Sequence, residues 1–148
     1  MPKPLVPPLW AALAAVLMLA LHRWLPGGTW LAPPATALGL LPVLAGVGLA
    51  AWAAGLFVRA GTPLEPWKTP TALVAGGPYR FTRNPMYLGL TACLAGLSVW
   101  LGTATPLLVL PLFVTLITFG FIRREERWLE ERFGESYRRY RAGVRRWI

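Results

Sequence analysis

A polar and aromatic segment runs directly into an apolar stretch near the middle of the chain. Residues 76–89 read Gly-Gly-Pro-Tyr-Arg-Phe-Thr-Arg-Asn-Pro-Met-Tyr-Leu-Gly, and a later apolar stretch ends in Arg123-Arg124-Glu125-Glu126. Aromatic rings and carboxylates bind cationic groups, whereas a helix N-terminus binds anionic ones. We therefore expect a site for a ligand with both charges where these apolar stretches end, as in an enzyme of the membrane surface.

The apolar stretches are long enough to cross a membrane. The chain has 148 residues, of which 55% are hydrophobic and 14% charged, whereas about a quarter of an ordinary soluble domain is charged. A spanning helix needs roughly 17 to 25 apolar residues. The sequence predicts one all-α integral membrane domain, with four transmembrane helices and a cytoplasmic C-terminal amphipathic helix. The predicted spans cover residues 9–25, 35–58, 86–101 and 105–122.

The basic residues are distributed by membrane side. Two predicted spans lie within residues 1–58, a loop covers 59–85, and a helical hairpin with its tail covers 86–148. Fourteen of the fifteen basic residues lie in the N-terminus, this loop or the tail, including Lys3, and Arg23 alone falls on the other side. The positive-inside rule then places both termini in the cytoplasm. We expect an integral protein of a bacterial or archaeal plasma membrane, whose net charge of +9 contacts membrane lipids rather than nucleic acid.

Metal and disulfide chemistry have little support in the sequence. Cys93 is the single cysteine and His22 the single histidine, so no internal disulfide and no multi-cysteine or histidine metal site is expected. Cys93 lies near Gly89 and Gly96 at helical spacing, which favours a small residue at a close helix contact over a reactive thiol.

Two helix features frame the candidate site. Asn84 followed by Pro85 fits an N-cap and a first helical position, so the third span is predicted to start at Pro85 with Asn84 as its capping side chain. The fourth span is predicted to continue as an amphipathic helix through Tyr140. Glu125 and Glu126 fall near the apolar stripe of that helix and are expected to face protein or ligand; the alternative is a solvated charge run with helical partners.

Several segments of this chain together resemble a known family of membrane enzymes. The segments are Gly77-Pro78-Tyr79, Arg83-Asn84-Pro85-Met86-Tyr87-Leu88-Gly89, Glu125-Glu126, Phe133-Gly134-x-x-Tyr137-x-x-Tyr140 and Val144-Arg145-Arg146-Trp147. This set resembles the isoprenylcysteine carboxyl methyltransferase family and its relatives, the phospholipid N-methyltransferases. The resemblance covers residues 71–148 and implies a membrane enzyme whose C-terminal half, from about residue 71, encloses S-adenosylmethionine at the cytoplasmic side.

The resemblance also implies roles for individual residues. Asn84 stands where the family usually has a histidine, and an amide cannot titrate near neutral pH, so it cannot serve as a general base. The substrate-side arginine of the family has no aligned equivalent, and Arg123 or Arg124 could substitute for it. The implied catalytic residues are Arg83, Glu126 and Arg124. The implied cofactor-binding residues are Thr71, Ala72, Leu73, Val74, Tyr79, Asn84, Pro85, Met86, Tyr87 and Glu125.

These observations predict a methyltransferase that is embedded in the membrane and depends on S-adenosylmethionine. Its expected acceptor is a lipophilic small molecule or lipid that enters from the bilayer and attacks through a carboxylate, thiol or amine. One alternative is a membrane reductase of the sterol-reductase type with a reduced nicotinamide dinucleotide. The other is a non-enzymatic membrane scaffold with a basic lipid-binding tail, which leaves the polar 71–87 segment and an inward Glu125 unexplained.

Overall fold

The computed structural model describes residues 6–65 and 68–148, so Lys3 and the loop proline Pro66 lie outside the described residues. The described residues form helices joined by turns, with a π-helical turn, Thr118–Ile122, between the fourth and fifth. The α-helices are α1 (Pro7–Trp24), α2 (Leu40–Arg59), α3 (Pro85–Leu101), α4 (Val109–Ile117), α5 (Arg123–Phe133) and α6 (Glu135–Gly143). Short 3-10 helices cover Ala35–Gly39, Gly77–Arg80 and Thr105–Leu108.

Each of the four predicted apolar stretches forms a helix. Within the described part of the chain, two continuous helices, Ala35–Arg59 and Thr105–Phe133, are long and apolar enough to cross a membrane. Helix α3 is apolar but has only 17 residues, and α1 has 18. The helical architecture is therefore confirmed, whereas the count of four spans stays a prediction.

Helices α2 and α3 make the most extensive contact in the molecule because small residues face each other across it. A β-carbon added to Gly46 would lie 2.4 Å from the carbonyl oxygen of Gly89, and one added to Gly96 would lie 2.4 Å from that of Gly39. Cys93 lies in the same contact, where its thiol approaches the carbonyl of Val43 at 3.6 Å. Without a side chain at these positions the backbones approach closely, and this contact fixes where α3 starts relative to α2.

Helix α3 also packs on the other side, against α1 and the continuous helix Thr105–Phe133, which we call the α4–α5 helix. The core there contains Met18 from α1, Leu94 from α3 and Phe113 from α4, each almost completely buried. Many large apolar side chains on the outer faces of the helices are exposed instead, for example Leu44 of α2 and Leu112 of α4. A helix that is apolar on both its inner and outer faces suits a bilayer, whose interior is itself apolar.

The C-terminal tail differs from the single amphipathic helix that the sequence predicts, and that prediction is wrong. Helix α5 ends at Phe133, Gly134 adopts a φ of 51°, and α6 begins at Glu135. A positive φ costs glycine little because it has no β-carbon. The turn lets α6 fold back toward the start of α3, and the Tyr140 hydroxyl donates a hydrogen bond to the carbonyl of Tyr79 at 2.7 Å.

The loop after α2 and the end of the chain meet at one end of the helix bundle. The amide of Arg83 donates to the carbonyl of Arg145 at 2.8 Å, and the Trp147 indole N–H donates to the hydroxyl of Thr118 at 3.3 Å. At the opposite end, the ring of His22 lies 2.9 Å from the Thr103 hydroxyl. The basic loop and the basic tail therefore share one end, as the predicted topology requires.

Candidate functional site

A cleft of about 590 Å³ opens where the loop, the start of α3, the start of α5 and α6 converge. We call it the polar cleft, because an arginine, two glutamates, four tyrosines and an asparagine line it among apolar side chains. Its lining residues are Phe57, Pro70, Ala72, Leu73, Val74, Tyr79, Arg83, Asn84, Met86, Tyr87, Glu125, Glu126, Leu129, Tyr137 and Tyr140.

Glu126 is held between two arginines at the base of the polar cleft. Its carboxylate accepts hydrogen bonds from Arg146 at both oxygens, at 3.0 and 2.7 Å, and pairs with Nη2 of Arg83 at 3.2 Å. The Glu126 and Arg83 side chains are only 11% and 10% exposed. The hydrogen bonds with Glu126 raise the pKa of Arg146. Since both oxygens of Glu126 are engaged, this carboxylate anchors the arginines.

Glu125 has a different environment, although it is the adjacent residue. Its carboxylate accepts a hydrogen bond from the hydroxyl of Tyr87 at 2.5 Å, and no ion pair engages it within the described residues. Successive residues of an α-helix point about 100° apart, so Glu125 lines the polar cleft directly while Glu126 reaches the arginines. Glu125 thus offers a carboxylate to a cationic ligand group.

Four buried hydrogen-bonding atoms have no partner within the described residues: the hydroxyls of Tyr79 and Tyr137, and Nε and Nη1 of Arg83. Burial raises the pKa of Tyr79 and raises that of Tyr137 to about 12. Both phenols therefore keep their protons at neutral pH and can donate. A buried polar group without a partner is costly, so these donors at the cleft indicate a ligand with acceptor oxygens.

Asn84 occupies the predicted N-cap position of α3, but its side chain does not cap the helix. Its amide N–H instead donates to the carbonyl of Arg146 at 2.9 Å. The hydroxyl of Thr82 donates to the same carbonyl at 3.1 Å and accepts from the Asn84 backbone amide at 3.2 Å. The capping prediction is wrong because the Asn84 side chain bonds to the carbonyl of Arg146 in the returning C-terminal segment instead. The Asn84 side chain therefore connects that segment to the start of α3.

The structure gathers most of the predicted site residues in the polar cleft. Three predicted residues do not line it. Thr71 donates to the carbonyl of Gly61 at 2.9 Å and closes the loop, Pro85 is buried in the first turn of α3, and Arg124 is exposed with its guanidinium 4.5 Å from the Trp128 ring. The predicted residues that do line the cleft are Ala72, Leu73, Val74, Tyr79, Arg83, Asn84, Met86, Tyr87, Glu125 and Glu126.

Sequence reasoning assigned no site role to several residues that line or support the cleft. Tyr137 and Tyr140 belong to the quoted Phe133-Gly134-x-x-Tyr137-x-x-Tyr140 segment, in which Gly134 is the one signal that the helix turns back. Arg146 lies in the quoted Val144-Arg145-Arg146-Trp147 segment, but its partner Glu126 is remote in sequence. Phe57 of α2, whose ring centroid is 5.5 Å from that of Tyr79, has no sequence signal, since it looks like any other apolar residue of a span.

A second cleft of about 510 Å³ lies beside the first and shares a wall with it. The shared wall includes Met86, Tyr87 and Glu125. We call this second cleft the apolar cleft, because Pro63, Leu64 and Trp128 line it, with Glu65 and Lys68 paired at 2.7 Å among its lining residues. Two separate ligands could therefore meet across the shared wall. Within the described residues, no cluster of side chains could hold a metal ion.

Comparison with known proteins identifies similar sequences. A family model described as phospholipid methyltransferase matches residues 34–136. An uncharacterized protein from Haemophilus influenzae strain Rd is 43% identical over 63 residues, which is 43% of this chain and 100% of that relative. No solved structure matches. The family match includes most of the lining of the polar cleft and ends before Tyr137, Tyr140 and Arg146.

Proposed function

The chain belongs to the phospholipid methyltransferase family, and from that premise we propose that it binds S-adenosylmethionine in the polar cleft and methylates a lipophilic acceptor. The family implies a methyltransferase, and the family together with the long apolar helices supports a membrane protein. The observation that carries the proposal is the pairing in one cleft of the Glu125 carboxylate with the unpartnered donors of Arg83, Tyr79 and Tyr137.

The lining of the polar cleft matches the groups of S-adenosylmethionine. Glu125 is placed for its ammonium group. The free Nε and Nη1 groups of Arg83, with the Tyr137 hydroxyl, suit its carboxylate, and the rings of Phe57 and Tyr79 suit the adenine face. Ala72, Leu73 and Val74 supply a narrow apolar wall. The carboxylate of S-adenosylmethionine is thus assigned to Arg83, because the side-chain amide of Asn84 already donates to the carbonyl of Arg146.

The acceptor is proposed to occupy the apolar cleft, with its reactive atom at the shared wall. When bound, S-adenosylmethionine supplies the methyl group from its sulfonium centre by in-line displacement. Met86, Tyr87 and Glu125 line both clefts and would align the two ligands, so positioning supplies most of the catalysis. Carboxylate, thiol and amine acceptors are all compatible with this wall; a general base is needed only for an acceptor that arrives protonated.

Arg83 and Glu126 are proposed to act together in this cleft. Glu126 holds one edge of the Arg83 guanidinium and leaves Nε and Nη1 for the ligand. Arg124, the third predicted catalytic residue, lies outside both clefts and packs on Trp128 of the apolar cleft. Its proposed role is therefore restricted to holding that ring.

The methyltransferase proposal has a direct test by equilibrium binding to the purified protein in detergent. Radiolabelled S-adenosylmethionine should bind saturably. An excess of reduced nicotinamide dinucleotide should not displace it, because the described lining of the polar cleft has one arginine with free N–H groups rather than a set for several phosphates. Binding of the dinucleotide without S-adenosylmethionine would support the reductase alternative. Binding of neither would support the lipid-binding scaffold.

We further propose four membrane spans, α1, α2, α3 and residues 105–122 of the α4–α5 helix, with both termini in the cytoplasm of a bacterial or archaeal cell. The distribution of basic residues and the shared end of loop and tail support this topology. In a Cys93→Ala background, Lys68→Cys and Ile148→Cys should react from the cytoplasm and Leu25→Cys from outside. Leu25 is a suitable labelling position because it is 64% exposed. Gly102 is not suitable, because a β-carbon there would lie 2.2 Å from the Leu31 carbonyl oxygen. Cytoplasmic labelling of Leu25→Cys would contradict the topology.

A further inference from the structure

An open depression of about 860 Å³ lies on a different face of α5 from the apolar cleft. Phe119, Arg123, Arg127 and Glu130 follow one another at intervals of three or four residues along the continuous α4–α5 helix, so they share one face. Arg141 of α6 and Arg146 of the returning segment complete the lining with Glu126. We call this surface, defined by Arg123, Arg127, Arg141 and Arg146, the arginine shelf.

The arginine shelf has more positive than negative charge. Glu130 pairs with Arg141 at 2.8 Å, and Glu126 pairs with Arg146 at 2.7 Å. Arg123 and Arg127 have no carboxylate partner within the described residues, so two guanidinium groups remain for a ligand. Guanidinium groups bind the oxygens of a phosphate in pairs with matched geometry.

The arginine shelf lies where the apolar part of the α4–α5 helix ends. Phe119 is 59% exposed, and the guanidinium of Arg123 lies 4.0 Å from the centroid of its ring. An exposed ring one turn before the first charges is typical of the membrane interface, where basic side chains meet lipid headgroups. A ligand here would have an anionic group at the arginines and an apolar part along Phe119.

We infer that the arginine shelf binds the phosphodiester headgroup of an anionic membrane lipid, separately from the acceptor and cofactor sites. The inference rests on the proposed membrane position of the α4–α5 helix and not on the methyl-transfer chemistry. Its lipid is a bound partner that is not methylated, because Glu125 and the shared wall of the two clefts do not line the shelf. Anionic lipid then stabilises the folded protein by linkage.

The test titrates the purified full-length protein in neutral detergent with phosphatidylglycerol, phosphatidylcholine or inorganic phosphate and follows Tm. Phosphatidylglycerol should raise Tm, and phosphatidylcholine should not. In the Arg123→Gln/Arg127→Gln variant its apparent affinity should fall by about ten- to thirty-fold, since each basic contact with anionic lipid is worth about 1 kcal/mol. Arg127→Gln alone should give a smaller loss in the same direction.

The matched control is Arg132→Gln/Arg138→Gln, which removes the same charge from α5 and α6 outside the shelf. It should retain the phosphatidylglycerol affinity of the wild type. An equal loss in the control, or an equal response to phosphatidylcholine, would overturn the proposed site. The same Tm shift with inorganic phosphate alone would show that the arginine shelf binds a free anion and would overturn its assignment to a lipid. S-adenosylmethionine binding by each variant is measured separately, so failure of the shelf and failure of the methyltransferase proposal remain distinguishable.

Discussion

Replacing Glu126 with glutamine should destabilise the folded protein by about 3 to 5 kcal/mol, the usual cost of removing one partner from a buried ion pair. The loss is large because Glu126 neutralises both Arg83 and Arg146, and the Arg83 side chain is only 10% exposed. The free energy of unfolding, measured by chemical denaturation in mixed micelles, is the readout. Activity of this variant must be compared with its folded fraction.

Glu130→Gln is the matched control, since it makes the same substitution one turn further along α5. Glu130 pairs with Arg141 at the surface, where the two side chains are 34% and 48% exposed, so its loss should cost at most about 1 kcal/mol. The Glu126→Gln/Arg146→Gln double variant should lose less than the sum of the two single variants, because it also removes one unpaired cation. Equal losses in Glu126→Gln and Glu130→Gln would contradict the proposed anchoring role.

Replacing Glu125 with glutamine should leave the protein folded and weaken S-adenosylmethionine binding by about 10- to 150-fold. This range corresponds to the roughly 1.5 to 3 kcal/mol of a hydrogen bond to a charged group. No ion pair engages Glu125 within the described residues, and its carboxylate accepts a hydrogen bond from Tyr87, so stability should change far less than in Glu126→Gln. Equilibrium dialysis of radiolabelled S-adenosylmethionine against the folded variant gives the dissociation constant.

Tyr87→Phe separates the charge of Glu125 from its orientation. This variant removes the hydroxyl that donates to Glu125 but keeps the carboxylate and the aromatic ring, so its loss of affinity should be clearly smaller than that of Glu125→Gln. A dissociation constant of Glu125→Gln equal to that of the wild type would remove Glu125 from the cofactor site. The contrast between Glu125 and Glu126 is thus a contrast between ligand binding and stability.

The sequence by itself determined the helices and much of the cleft lining. Long apolar runs must satisfy their backbone groups internally in a membrane, so helices were the expected outcome, and Asn84-Pro85 located the start of α3 at Pro85. The motif residues from Gly76 to Tyr87, together with Glu125, were recognisable as a polar and aromatic set beside apolar runs, whereas Ala72, Leu73 and Val74 were implied only by the family resemblance. Such motifs consist of residues that are close together in the chain, so they are visible without the fold.

Only the tertiary structure decided which partner each polar group has. Glu125 and Glu126 are the same amino acid at adjacent positions, and the difference between them comes from Arg83 and Arg146, which approach one and not the other. The turn at Gly134 brings the tail back toward the start of α3. There Tyr137 lines the polar cleft, and the carbonyl of Arg146 accepts a hydrogen bond from the side-chain amide of Asn84. Such contacts join residues far apart in the chain, so they depend on how α2, α3 and the α4–α5 helix pack, and no local pattern specifies them.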